Sequence, residues 1–87
     1  MISQNIVIDN KFGIHARPAG KIANLAVKAK SNIWIINNGK RVDASDIFEI
    51  LTLACEAGTK ITFEIDEPCD KGVLEQLVQL VKNRFGE

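Results

Sequence analysis

The sequence predicts an α+β fold in which helices pack on one face of a sheet. Segments with strand and helix patterns follow one another in the order βαββαβα, and this order favours helices on one face of the sheet rather than on both. Asn38-Gly39 separates two strand segments and favours the two-residue turn of an antiparallel hairpin. A chain of 87 residues is too short for two hydrophobic cores, so we expect one domain over residues 1–87.

The first strand and the first helix are predicted in the N-terminal part of the chain. A short apolar alternation predicts a strand over Asn5–Ile8, and a loop over 9–14 follows it. Small and apolar residues then recur at helical spacing, which predicts an amphipathic helix from Ala16 to about Ala29. Lys28 and Lys30 are expected in the last turn of that helix, where the negative end of the helix dipole favours positive charge.

The hairpin is predicted in the middle of the chain. Branched and aromatic residues predict a strand over Ile33–Ile36, and Lys40–Asp43 is expected to run back antiparallel to it after the Asn38-Gly39 turn. If the even positions of the first hairpin strand face outward, Trp34 is partly exposed, which is unusual for an indole without a partner.

Two helices and one strand are predicted in the C-terminal part. The second helix begins at Ser45 or Asp46, and Gly58 is expected to close it as a C-terminal cap. A strand with one buried side follows over Thr59–Ile65. After an acidic turn, the final helix runs from Lys71 to about Arg84 with a broad apolar stripe.

The composition excludes several classes of partner. Eleven basic residues balance eleven acidic ones, so there is no general electrostatic case for nucleic acid or for an anionic membrane. No apolar run approaches the roughly 20 residues that span a membrane, and the N-terminal residues lack a signal-peptide pattern. We therefore expect a cytoplasmic protein that neither inserts into a membrane nor binds nucleic acid.

The two cysteines do not suggest a metal site. Cys55 and Cys69 are too few and too far apart for zinc, and a cytoplasmic chain usually keeps its thiols reduced. His15 is the only histidine, so a metal cage of histidines is excluded. We expect no metal and a structural role for both thiols.

His15 lies in the run Gly-Ile-His-Ala-Arg-Pro-Ala over residues 13–19, which is typical of the start of a helix. Pro18 fits the first helical turn, because the N–H that it lacks would have no intrahelical partner there. The amides of Ala16 and Arg17 are then free to point back toward His15, and such helix starts attract anions.

The side chains beside these amides favour phosphate chemistry. Arg17 adds a planar, permanently charged group suited to phosphate, or to carboxylates of a partner. Imidazole titrates near neutral pH, so its nucleophilic form is available in a cell. A lone histidine at a helix start is often only a surface residue, but Gly13, Arg17 and Pro18 around it favour a phosphoryl acceptor at His15.

The same run resembles the active-site segment of the HPr family, the small histidine-containing phosphocarriers of the bacterial phosphoenolpyruvate-dependent phosphotransferase system. The resemblance covers essentially the whole chain. It also rests on Asn38-Gly39-Lys40, Val42, Ile47-Phe48, Thr52-Leu53, Gly58 and the strand Ile61–Ile65. It implies an open-faced sandwich, in which three helices cover one face of a four-stranded antiparallel sheet of order 1-4-2-3.

The resemblance also implies a function for His15. In the family this histidine accepts a phosphoryl group from enzyme I and passes it to an enzyme IIA domain. The protein would then be a stoichiometric carrier without a cofactor, not an enzyme in its own right. We expect a monomer with enzyme I, enzyme IIA domains and regulatory proteins as partners.

Apolar residues of the second helix have two interpretations. In the family such residues surround the histidine and form the docking surface, which here assigns docking to Ile47, Phe48 and Leu51. The same residues at helical spacing are also compatible with a place in the core.

Asp46 occupies a position where many members of the family carry a serine that a kinase phosphorylates. An aspartate is not a substrate for that reaction. Asp46 with Glu49 resembles a capping box, which is a structural explanation. The functional alternative is that the carboxylate partly imitates phosphoserine, with one charge in place of about −1.5 to −2.

Three functions stay open at this point. The first is phosphoryl carriage in sugar uptake. The second is a regulatory, nitrogen-type phosphorelay, which the missing serine and the acidic second helix allow. The third is a small interaction module in which His15 only caps a helix.

Overall fold

The computed structural model describes residues 2–86, and it confirms the predicted order of strands and helices. The elements are β1 (Ile2–Val7), α1 (Ala16–Ala26), β2 (Ile33–Asn37), β3 (Lys40–Asp43), α2 (Ile47–Leu51), β4 (Lys60–Ile65) and α3 (Lys71–Lys82). Short 3₁₀ turns span Pro68–Asp70 and Arg84–Gly86. Met1 and Glu87, which belong to the predicted domain, lie outside the described residues.

The sheet is antiparallel with the order β1-β4-β2-β3, as the resemblance implied. Helix α1 packs against α2 and α3, and α3 also packs against β1 and β4. The side chains of Ile61, Phe63 and Ile65 in β4 are buried between the sheet and these helices, whereas the alternate residues of the strand are not. This alternation produces the predicted open-faced sandwich.

Trp34 lies partly exposed on the open face of the sheet, as predicted. The guanidinium carbon of Arg41 lies 4.3 Å from the indole ring centroid, and the indole Nε1 donates a hydrogen bond to Asp66 at 3.4 Å. Arg41 also approaches Glu64 at 3.6 Å. These polar groups cover an aromatic surface that would otherwise face water.

The predicted hairpin is confirmed. Asn38 and Gly39 both have positive φ, 52° and 79°, as a type I′ turn requires. Asn37 pairs with Lys40 across it.

Helix α1 ends three residues earlier than the sequence predicted. The amides of Lys28 and Ala29 donate to Leu25 and Ala26, three residues back, so the chain tightens after Ala26 into a turn of 3₁₀ type. Lys28 and Lys30 therefore do not lie in the last turn of the helix, and that prediction was wrong.

A residue distant in sequence holds the chain just beyond α1. The buried carboxylate of Asp70 accepts hydrogen bonds from the amides of Lys30 and Ser31 at 2.9 and 3.0 Å. Asp70 belongs to the segment before α3, far from α1 in the sequence. The spacing of apolar residues near residue 29 therefore does not indicate where α1 ends.

Helix α2 is much shorter than predicted, and Gly58 does not cap it. The helix ends at Leu51, and Ala54 adopts a left-handed conformation with φ 50°. The next residues instead pair with the loop before α1: Cys55 accepts from the amide of Ile14 at 2.9 Å, and Gly58 donates to Ile8 at 2.7 Å.

The remaining differences from the predicted bounds are small. Strand β1 begins at Ile2, three residues before the predicted start, and ends at Val7, one residue before the predicted end; all six of its residues pair with β4. The last helix ends at Lys82, and Arg84 has φ 54°, which breaks the helical backbone.

Candidate functional site

His15 is the N-cap of α1, as the sequence predicted. Its backbone is extended, with φ −105° and ψ −167°, and its carbonyl accepts the amide of Ala19 at 2.9 Å. The amides of Ala16 and Arg17 precede that bond, so they have no acceptor within the helix, and Pro18 has no N–H to leave unpaired. The start of α1 therefore presents two donors and the positive end of the helix dipole beside the imidazole.

The loop before α1 is fixed by backbone contacts and one buried side chain. Gly13 adopts φ +66°, and its amide donates to the carbonyl of Asn10 at 3.2 Å. The side-chain nitrogen of Asn10 donates to the carbonyl of Gly13 at 2.7 Å. Asn10 is 1% exposed, and its role was not predicted, because no local sequence pattern marks an asparagine that closes its own loop.

The imidazole of His15 is half-buried and contacts an aromatic ring from the same loop. The rings of Phe12 and His15 are nearly perpendicular, with centroids 6.1 Å apart and an interplanar angle of 85°. Phe12 is itself 68% exposed, and the ammonium of Lys11 lies 5.3 Å from its ring centroid. One side of the histidine is therefore bordered by an aromatic group open to an approaching partner.

His15 opens into a cationic cleft of about 720 Å³. Arg17 lines the cleft together with Lys11, Lys21 and Arg84, and Asp9 is the single acidic side chain of the lining. Arg84 pairs with Asp9 at 3.4 Å. The remaining positive charge favours an anionic ligand or an acidic partner surface.

His15 and Arg17 are residues that the sequence predicted for the site, whereas the other cations of the cleft were not predicted. Lys21 follows Arg17 by four residues, so helical periodicity alone places it on the same face. Arg84 reaches the cleft only because the chain returns to α1 after α3, and nothing near it in the sequence signals this.

The three predicted docking residues are all accessible to some degree. Phe48 is 82% exposed, whereas Ile47 and Leu51 are 38% and 36% exposed. Ile50, in the same short helix, is buried. Helix α2 packs against α1, so this apolar surface belongs to the same side of the molecule as the helix that begins at His15.

Asp46 caps α2, and the predicted capping box is only half formed. Its carboxylate accepts the amides of Phe48 and Glu49 at 2.9 and 3.2 Å. The side chain of Glu49 does not return to the amide of Asp46, which donates to the carbonyl of Asp43 instead. Glu49 accepts the amide of Asp43 at 3.3 Å.

The two cysteines are separate free thiols. Cys55 is buried, and burial raises the pKa of its thiol, while Cys69 is exposed. Within residues 2–86 there is no group of three or more histidine, cysteine, aspartate or glutamate side chains placed to hold a metal ion. Over the same residues, no helix combines the length and apolar character needed to cross a membrane.

Comparison with known proteins identifies the family of the chain. Residues 2–83 match the family model described as the HPr component phosphorylation site of the phosphotransferase system. The phosphocarrier protein HPr of Cupriavidus necator is 37% identical over 87 residues, which cover 100% of this chain and 98% of that protein.

Solved structures of HPr proteins share the fold. An HPr of Thermoanaerobacter tengcongensis superposes with a TM-score of 0.94 at 33% identity, covering 100% of this chain and 98% of that one. A structure described as an HPr dimer from the same organism gives a TM-score of 0.78 at 33% identity, with 100% of both chains covered.

Proposed function

The chain belongs to the HPr family of phosphocarriers, and from this premise we propose that His15 accepts a phosphoryl group from phosphorylated enzyme I and passes it to an enzyme IIA domain. The observation that carries the proposal is the position of His15 as the N-cap of α1, in a cleft lined by cations. The protein is then a stoichiometric carrier in the cytoplasm, and the catalytic machinery is shared with each partner.

The transfer is a substitution at phosphorus between two imidazoles. An unprotonated ring nitrogen of His15 attacks the phosphorus, a P–N bond forms, and the P–N bond to the donor histidine breaks with its electron pair left on the donor ring. In a loose transition state the charge is spread over three phosphoryl oxygens. We assign the stabilisation of those oxygens to the amides of Ala16 and Arg17, at the start of α1, and to the guanidinium of Arg17, which lines the cleft.

Onward transfer reverses these roles. Phosphorylated His15 becomes the donor, and a nucleophile of the enzyme IIA domain attacks the same phosphorus. The half-buried imidazole suits both steps, since a deeply enclosed ring would exclude the second partner.

Docking is assigned to Ile47, Phe48 and Leu51. Exposed aromatic side chains often anchor protein interfaces, and Phe48 is the most exposed of the three. The cations of the cleft then require acidic groups on the partner opposite His15.

A regulatory phosphorelay is the second candidate. Asp46 stands where many family members carry the regulated serine, and Glu49 adds a second acid to the docking helix. Both charges weaken association with an acidic partner surface, which favours partners other than those of sugar uptake. The phosphocarrier identity of the relatives favours these two functions over a module in which His15 only caps a helix.

The proposal is tested by labelling with phosphoenolpyruvate and enzyme I. We expect acid-labile phosphate on the protein, its complete loss in His15→Ala, and transfer slowed about 100- to 1000-fold in Arg17→Ala. Lys28→Ala is the matched control, because Lys28 is exposed beyond the end of α1 and does not line the cleft.

Label that persists in His15→Ala would refute the assignment of the acceptor. A panel of purified acceptors then separates the two branches: transfer to sugar-type IIA domains supports uptake, and transfer only to nitrogen-type IIA domains supports regulation.

A further inference from the structure

Lys21 is a charged residue of the cleft that the proposed mechanism does not use. It lies four residues after Arg17, so the two side chains share one face of α1. Side chains on a helix lean toward its N-terminus, which directs Lys21 toward the end where His15 lies. Both cations line the cleft with His15.

The ammonium of Lys21 is already held at the edge of the cleft. Its Nζ donates a hydrogen bond to the backbone carbonyl of Phe85, in the 3₁₀ turn that follows α3. A Cβ atom built on Gly86 would lie 3.5 Å from the same Nζ, so the turn approaches the lysine closely. A group ordered in this way gives up little conformational entropy when it binds a ligand.

The carbonyl of Phe85, which Lys21 binds in the unphosphorylated protein, is a weaker hydrogen-bond acceptor than a phosphoryl oxygen. A carbonyl is a neutral acceptor, whereas hydrogen bonds between an ammonium and an ionised oxygen are roughly twice as strong. Arg84, by contrast, is already paired with the carboxylate of Asp9. A phosphoryl dianion in the cleft therefore competes for Lys21 more readily than for Arg84.

We propose that Lys21 is a second cationic ligand of the phosphoryl group at His15, and that it leaves the carbonyl of Phe85 to bind that group. The inference deepens the proposed function, on which its biological meaning rests. The inference also predicts that phosphorylation breaks the hydrogen bond by which Lys21 of α1 contacts the C-terminal turn over Arg84–Gly86.

The test follows the lysine ammonium signals by NMR in the intact protein. His15 is phosphorylated chemically with phosphoramidate, which needs no enzyme I, and inorganic phosphate is titrated into a separate unphosphorylated sample. We expect both treatments to shift the Nζ resonance of Lys21 and the Gly86 amide, while the Nζ resonance of exposed Lys28 stays in place.

Variants provide a second readout. Lys21→Gln should weaken the binding of inorganic phosphate about three- to fivefold, as expected for one partly exposed ion pair, and Lys21→Arg should restore it. Lys28→Gln is the matched control and should bind phosphate as the parent does. Urea unfolding of each variant separates a loss of the ligand from a loss of the fold.

The outcomes for the two proposals are distinct. If His15 is phosphorylated and the Lys21 resonance does not move, the inference is overturned and the carrier function stands. If enzyme I fails to phosphorylate His15 while inorganic phosphate still shifts Lys21, the carrier function fails and Lys21 remains a ligand of the anion site.

Discussion

Gly13 controls where His15 is placed. A Cβ atom at this position would lie 2.3 Å from the carbonyl oxygen of Cys55 and 2.8 Å from the Cα of Glu56. The backbone also has φ +66°, which side chains disfavour. Since both obstructing atoms belong to the backbone, a larger residue must push the loop away from Cys55 and so displace the start of α1.

Replacing Gly13 by alanine should therefore destabilise the protein and impair phosphorylation together. We expect Gly13→Ala to lower the free energy of unfolding by about 1–3 kcal/mol, since a strained backbone and a steric overlap coincide. Gly20→Ala is the matched control: nothing lies within 4 Å of a Cβ there, and the site is inside α1. It should raise the unfolding free energy by about 0.5–1 kcal/mol.

Urea denaturation measures both changes, and labelling by enzyme I measures phosphorylation. Equal stability of the two variants would show that the loop accommodates a side chain at Gly13 without strain.

Single residues differ in how far the sequence predicts their place. Pro18 follows the local rule for the first helical turn, and His15, Arg17 and Pro18 all lie at the start of α1, as the sequence predicted. The contacts of Lys21 with Phe85 and of Arg84 with Asp9 join residues 64 and 75 positions apart. No local rule reports such contacts, so the sequence predicted the position of His15 at the start of α1 and missed most of the charge around it.

At the scale of an element, α2 shows where periodicity misleads. Leu53 and the apolar residues before it continue a helical spacing, which predicted a helix as far as Gly58. Beyond Ala54 the backbone instead pairs with the loop that carries Gly13 and Ile14, where the carbonyl of Cys55 accepts the amide of Ile14. Helix α2 is therefore a single short segment whose first turn depends on the cap at Asp46.

Substitutions at Asp46 should separate its capping role from its charge. Asp46→Ala removes the acceptor of two amides and should cost about 1 kcal/mol of unfolding free energy. Asp46→Asn keeps an acceptor oxygen and removes the charge, so its stability should stay within about 0.5 kcal/mol of the parent. Thermal unfolding followed by circular dichroism measures both values.

The same pair of variants isolates the effect of charge on docking. Asp46→Asn should accelerate transfer from an enzyme I with an acidic docking surface, and the gain should vanish at high salt because screening removes repulsion between exposed charges. A slower transfer at low salt would indicate a basic partner surface and support the regulatory branch.

At the scale of the whole molecule, the order of the strands is the feature that local patterns do not contain. Alternation and the Asn38-Gly39 turn predicted strands and one hairpin from nearby residues. In the sheet, Ile65 of β4 pairs with Ile2 on one side and with Ile33 on the other. These contacts are non-local, so the order 1-4-2-3 followed from the resemblance to the HPr family and not from periodicity.

The edges of the sheet favour a monomer, although three related structures are described as dimers. Edge strand β3 exposes Lys40 and Arg41, and the opposite edge, β1, exposes Ser3, Gln4 and Asn5. Charged and polar edge strands discourage strand pairing between molecules. We therefore propose that residues 1–87 form one domain that does not associate.

Light scattering and unfolding experiments test this proposal together. We expect a mass of 9.6 kDa at all concentrations measured.

Because β4 lies between β1 and β2 and also packs against α3, the sheet and the helices should unfold in one cooperative step. Fluorescence of Trp34, the only tryptophan, reports the open face, and circular dichroism reports the helices, so the two urea transitions should coincide. Separate transitions would contradict a single domain, and a mass that doubles with concentration would contradict the monomer.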